Sequence, residues 1–217
     1  MTTTAQYASK PAIGSGTTTT ADTSYTSPTA GTVGVISTAT SAGMRVDFID
    51  NICQGTSVAG QLRLWLCEGT SGAAVTSISF SSTTATVTTT TSHGLSSGNL
   101  ITVQGAFPLD YNVENVAVSV TGLATFTYTM GTAPTINATG VGEYSTTPAT
   151  ATCYLLKEIP INPVTGSTTV NAWNQSLNSL NNQDFLPLQI PAGWSIRTTV
   201  SVSQTNPILT TTRGGQF

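Results

Sequence analysis

The chain has 217 residues, enough for one or two domains with real cores, but only 7% of them are charged and the formal net charge is −3. The six basic residues, Lys10, Arg45, Arg63, Lys157, Arg197 and Arg213, form no cluster able to neutralise several phosphates, which argues against a nucleic-acid binder. No run of about twenty apolar residues exists, so no transmembrane helix is expected.

Threonine stands where charge is missing, at about one residue in five. It is β-branched and favours extended backbone, and its hydroxyl still hydrates an exposed face. A surface of this kind is polar but nearly neutral, so little repulsion keeps copies apart, as suits a protein made to assemble. The start, Met1-Thr2-Thr3-Thr4, lacks the basic and apolar regions of a signal peptide, so the chain is expected to be made and kept in a cytoplasm.

Residues 1–32 hold Thr, Ser, Ala, Gly and Pro, with Tyr7 and Tyr25 the aromatics, and read as an extended arm without a core of its own. Strands begin at Val33–Ile36 and continue at Met44–Ile49 and Gln61–Glu68. In the last of these Leu62, Leu64 and Leu66 share one parity; Arg63, Trp65 and Cys67 share the other, and Trp65 implies that the second face is covered too. From Thr76 to Ser145 short runs alternate apolar residues with threonine: Thr76–Phe80, Ala85–Thr88, Leu100–Val103, Tyr111–Val116, Ala124–Met130 and Thr139–Tyr144. They read as a small β-domain spliced into a hairpin loop of the first. The outer pattern resumes at Thr152–Ile159, followed by a strand at Ser167–Trp173. Asn174–Leu180 is the one candidate helix, since Leu177 and Leu180 would share a face. Asp184–Ile190, interrupted by Pro187, predicts an edge strand, and Trp194–Val200 a strong one after the turn Pro191-Ala192-Gly193. Trp194, Ile196 and Leu188 are expected in the core. The tail from Gln204 to Phe217 offers few core residues.

Short strands with Gly and Pro turns predict an all-β chain. The expected organisation is an arm (1–32), a jelly-roll-like β-sandwich (33–75 and 146–217) and an inserted small β-domain (76–145). Cys53, Cys67 and Cys153 are odd in number and widely spaced, and read as buried free thiols rather than a disulfide framework or a zinc set.

Candidate chemistry is sparse. His93 is the lone histidine, in the turn Ser92-His93-Gly94-Leu95, and reads as structural. The carboxylates Asp47, Asp50, Asp110, Glu114, Glu143, Glu158 and Asp184 are weighed as a glycosidase pair, which needs two within about 10 Å across a cleft; solvated strand faces and turns account for them. Asp47, Asp50 and Asn51 lack the spacing of a calcium loop, and Gly14-Ser15-Gly16 and Gly214-Gly215 lack the strand and helix of a phosphate loop. No catalytic residue, metal site or cofactor is assigned. Phe107, Tyr111, Phe126 and Tyr128 are read as the insert's core, with sugar binding as the alternative.

The succession His93-Gly94-Leu95, Ser97-Gly98-Asn99, Ile101-Thr102-Val103, Tyr111-Asn112 and Thr125-Phe126-Thr127-Tyr128 resembles a small β-domain that recurs in tailed-bacteriophage virion proteins, over about a third of the chain. The phrase Leu186–Arg197 resembles late strands of phage capsid-decorating or head-associated jelly rolls. The resemblance implies a non-enzymatic virion component, a decoration or head-associated protein assembled in the host cytoplasm. It would bind major capsid or neck and tail proteins and work as a homo-oligomer such as a trimer. From the scattered basic residues and the lack of a long apolar run, neither nucleic acid nor membrane is expected as a partner. The alternative is a tail-tip or fibre module that binds the host cell surface.

Overall fold

The computed structural model describes residues 10–26, 28, 34–39, 42–147, 152–165, 171–178 and 186–217. Sixteen strands follow in chain order: β1 (Lys10–Thr18), β2 (Gly34–Thr38), β3 (Met44–Gln54), β4 (Gly60–Cys67), β5 (Thr70–Ser71), β6 (Val75–Ser81), β7 (Thr84–Thr89), β8 (Leu100–Phe107), β9 (Val113–Gly122), β10 (Thr125–Thr129), β11 (Gly140–Thr147), β12 (Cys153–Ile161), β13 (Asn171–Asn178), β14 (Leu188–Ile190), β15 (Ser195–Val200) and β16 (Ile208–Gln216). Among the described residues the one helical piece is a 3-10 turn, Leu109–Tyr111. The chain divides into two compact units, residues 1–67 with 152–217, and residues 68–151. The division falls outside 76 and 145 because β5 pairs with the end of β11, through Ser71 and Ser145.

The first unit is a jelly roll. One sheet runs β1-β16-β3-β13, with β14 also on β3; the other runs β12-β4-β15-β2. Every pairing in these two sheets is antiparallel, and the partners are first with last, second with next to last, and so inward to β4 with β12. The chain is thus a long hairpin folded over on itself, the double Greek-key arrangement of jelly rolls. Strand alternation drives it: Leu62 and Leu64 from β4 and Ile196 and Val200 from β15 meet Val46, Ile49 and Ile208 from the facing sheet in one core. Trp194 and Leu188 pack partly buried against that core. Ile196 is fully buried, and Ile196→Ala is expected to cost about 2–5 kcal/mol in urea unfolding.

Four expectations are corrected here. Residues 10–18 are not an arm: β1 pairs with β16 along nine residues and buries Ala12 and Thr18. Glycine makes this possible. A Cβ at Gly14 would sit 2.3 Å from Ile36 O, and one at Gly16 2.4 Å from Val35 O, so β1 lies against β2 only because both side chains are absent. The chain then crosses the outer face of the second sheet, with Asp22 N donating to Val200 O (2.7 Å) and Gln204 N to Thr19 O (2.8 Å). The C-terminal tail is an interior strand, β16, that buries Ile208, Thr210 and Thr212, and Thr210 Oγ1 is satisfied by Asn51 Oδ1 at 2.8 Å. Where a helix is expected at 174–180, residues 174–178 belong instead to β13, paired with β3. Trp173 and Leu177 are both buried, and a spacing of four suits one helical turn and two strand repeats equally; residues 179–185 lie outside the described residues. Finally, Cys67 and Cys153 face each other across β4 and β12 and are joined as a disulfide, leaving Cys53 as a buried free thiol whose pKa burial raises.

The second unit is one seven-stranded antiparallel sheet, β5-β11-β8-β9-β10-β7-β6. It curls on itself, so that Phe126 of β10 meets Tyr144 of β11 edge to face at 5.1 Å, although these strands are three places apart. Its own core gathers Ile78, Val87, Ile101, Val103, Tyr111, Val118, Phe126 and Tyr128.

Candidate functional site

Among the described residues, His93, Asp47, Asp50 and Glu158 each have a local partner. His93 sits where β10 begins, its ring edge to face with Phe126 at 5.3 Å. Its Nδ1 accepts from Leu95 N at 2.9 Å, so the proton belongs on Nε2, which donates to Gly122 O at 2.9 Å. Both nitrogens are spent on holding turns together. Asp47 pairs with Arg45 at 2.7 Å, Asp50 with Arg213 at 3.0 Å and Glu158 with Arg63 at 2.8 Å. Asn51 is buried, donating to Gln175 O, and does not join Asp47 and Asp50 around a cation. Among the described residues no group of three or more His, Cys, Asp and Glu is placed to hold a metal ion. Asp184 lies outside the described residues. Gly14-Ser15-Gly16 belongs to β1 and Gly214-Gly215 to β16, both extended strands without a following helix.

The outer face of β4 and β15 is covered, as Trp65 implied. Arg63 and Trp65 are 1% and 0% exposed. Trp65 Nε1 donates to Thr199 Oγ1 at 3.0 Å. Arg63 donates to Asp22 O (2.8 Å) and Ser24 O (3.3 Å), and Tyr25 lays its ring 3.9 Å from the guanidinium. The N-terminal segment is therefore clamped onto a buried cation of its own chain.

In the second unit Tyr111, Phe126 and Tyr128 are core, while Phe107 points out, 59% exposed. Two further apolar side chains, which the sequence pattern does not single out, share its end of the sheet: Leu109 (73% exposed) and Ile136 (49%). This end carries the turns after β6, β8 and β10, opposite the end that holds β5 and the last residues of β11. Thr139 N donates to Phe107 O at 2.9 Å, and Tyr111 OH to Ile136 O at 2.9 Å, so the two loops are tied together. The 107–111 loop is closed at its base by the Asn112 side chain, which accepts from Ala106 N (2.9 Å) and donates to Ala106 O (3.0 Å). Tyr128 OH fixes Tyr111 O at 2.6 Å, and Phe80 packs edge to face on the Tyr111 ring. The loop buries its tyrosine and presents its phenylalanine and leucine on a held backbone.

Charge is divided unevenly. Residues 68–151 contain Glu68, Asp110, Glu114 and Glu143 and neither Lys nor Arg, so all six basic residues belong to the jelly roll. Glu114 is exposed as a residue, yet desolvation of its carboxyl raises the pKa to about 7. A folded value above the unfolded one, about 4.3, means the ionised form is disfavoured by the fold. The penalty is absent below about pH 4 and complete above about pH 7. Glu114→Gln should accordingly raise the melting temperature of the second unit at pH 8 and leave it unchanged at pH 4, as read by calorimetry; a lower melting temperature at pH 8 would contradict it.

Comparison of the chain with family models, with curated proteins and with solved structures finds no match.

Proposed function

We propose that this chain is a structural subunit of a tailed-phage virion, a capsid-decorating or head-associated protein that acts by oligomeric binding rather than by catalysis. The observation that carries the reading is the architecture itself. A jelly roll, nearly uncharged on its surface, carries a whole second β-unit on the β4–β12 hairpin. Jelly rolls recur in viral capsid proteins, and an uncharged Thr-rich surface with few Lys residues at its sheet edges favours contact between copies. The sequence resemblance to phage virion β-domains supports the same setting. Immunogold labelling of purified virions with antibody against this chain tests it: label over the head is expected, and particles without label overturn it. Light scattering should give a multiple of the 22.3 kDa chain mass, and a monomer at micromolar concentration counts against oligomeric action.

The alternative, a tail-tip or fibre module that binds the host surface, is favoured by one observation, the outward Phe107. Label confined to the tail end would select it.

A further inference from the structure

The tip of the second unit combines two features. Phe107, Leu109 and Ile136 are all exposed on loops at one end of the sheet, and those loops are fixed by Asn112, Tyr111 and Tyr128. Three exposed apolar side chains on loops held in place are more than chance exposure, because loops without a role are usually polar and mobile. Their preorganisation also removes part of the entropy cost of binding. Asp110 and Glu114 lie near Phe107 and Leu109 in sequence, and the whole unit carries four carboxylates and no basic side chain.

We propose that this tip docks a protein partner that presents an apolar centre rimmed by Lys and Arg. The charge selects the occupant. Nucleic acid and anionic lipid headgroups would meet a surface of their own sign. A second copy of the tip would bring together two acidic units. The jelly roll of another copy offers little free positive charge, since Arg45, Arg63 and Arg213 are held by Asp47, Glu158 and Asp50. A neutral glycan would stack on Phe107, but Leu109 and Ile136 offer it no hydrogen bond. Three side chains make a small contact, so the single-site affinity is modest and is raised by several copies acting together. This inference stands apart from the virion setting: it concerns the chemistry of the partner, wherever the chain resides.

The test is an array of random twelve-residue peptides probed with the full-length chain at pH 8, where Glu114 is ionised. Peptides that bind should be enriched in aromatic or aliphatic residues flanked by Lys and Arg, and binding should weaken as salt rises. Phe107→Ser with Leu109→Ser should reduce it tenfold or more. Asp110→Asn with Glu114→Gln should flatten the salt dependence. Both pairs replace exposed side chains, and circular dichroism melting confirms the fold; Leu109→Ser alone serves if the first pair is unstable. The proposal fails if no peptide depends on the tip, if binders show no basic enrichment, or if oligomers of the chain dissolve in the Phe107 and Leu109 variant. It fails equally if binding to a neutral glycan array, rather than to peptides, is what Phe107→Ser abolishes.

Discussion

Removing residues 1–26 is expected to abolish the cooperative melting of the jelly roll. The composition of that segment suggests a dispensable arm, and the geometry gives the opposite result. Without β1, all nine residues of β16 lose their paired neighbour, alternate ones of them with their hydrogen bonds, and Thr198 Oγ1 loses its 2.6 Å contact with Thr18 Oγ1 inside the fold. Arg63 loses Asp22 O, Ser24 O and the Tyr25 ring together, leaving a guanidinium built for burial with Glu158 as its remaining described partner. At about 0.5–1.5 kcal/mol for each hydrogen bond, plus the cost of stranding a charge, the loss exceeds about 5 kcal/mol, comparable with the whole stability of a domain. Urea melting followed by tryptophan fluorescence reads this directly. Gly16→Val is the point-substitution counterpart, since its Cβ would meet Val35 O at 2.4 Å, and it should destabilise by about 1–3 kcal/mol or more. A truncated chain that melts within about 2 °C of the intact one, a change below about 1 kcal/mol, would show that β1 and the clamp on Arg63 contribute nothing.

The elements legible in the sequence are those whose side chains declare a face. The Leu62, Leu64 parity of β4, the Trp194–Val200 run that leads into β15 and the threonine-spaced runs of the second unit all alternate in sequence, and they lie in strands, with β15 buried on both faces. β1 and β16 announce nothing, because they are held by backbone pairing and by glycine contacts that hydrophobic patterning does not register. β13 is ambiguous at the level of spacing, and only its pairing with β3 decides it. The cysteines required a register: Cys67 and Cys153 are 86 residues apart and become neighbours only once β4 and β12 are aligned. At the tip, alternation identifies Phe126 and Tyr128 as inward, but whether Phe107 faces in or out depends on how the sheet curls and where β8 ends. Arg63 shows the same limit from the other side. Trp65 implies that the face it shares with Arg63 is covered, but the cover is a segment some forty residues earlier that folds back over it, which strand alternation does not register.

Breaking the Cys67–Cys153 bond is expected to cost the jelly roll a different amount depending on whether the second unit is folded. Both cysteines belong to the first unit, at the points where the chain leaves it and returns. If the second unit is unfolded in the reference state, the bond closes a loop of 86 residues, worth about 4–5 kcal/mol in the chain-entropy account. If the second unit stays folded, Ser71 and Ser145 are already paired, and the bond closes a loop of only roughly fifteen residues, worth about 3 kcal/mol. The comparison needs four proteins: the native chain, Cys67→Ser with Cys153→Ser, and each of these carrying Phe126→Ala, which removes a buried ring from the second core. Calorimetry should show the double serine variant lowering the jelly-roll transition by about 3 kcal/mol in the Phe126 background and by about 1–2 kcal/mol more once Phe126→Ala melts the second unit first. Alkylation of the denatured, unreduced chain should label Cys53 alone, since the other two thiols are joined. Labelling of all three cysteines would remove the bond from the molecule, and equal losses in both backgrounds would mean that the order of the second unit does not reach the bond.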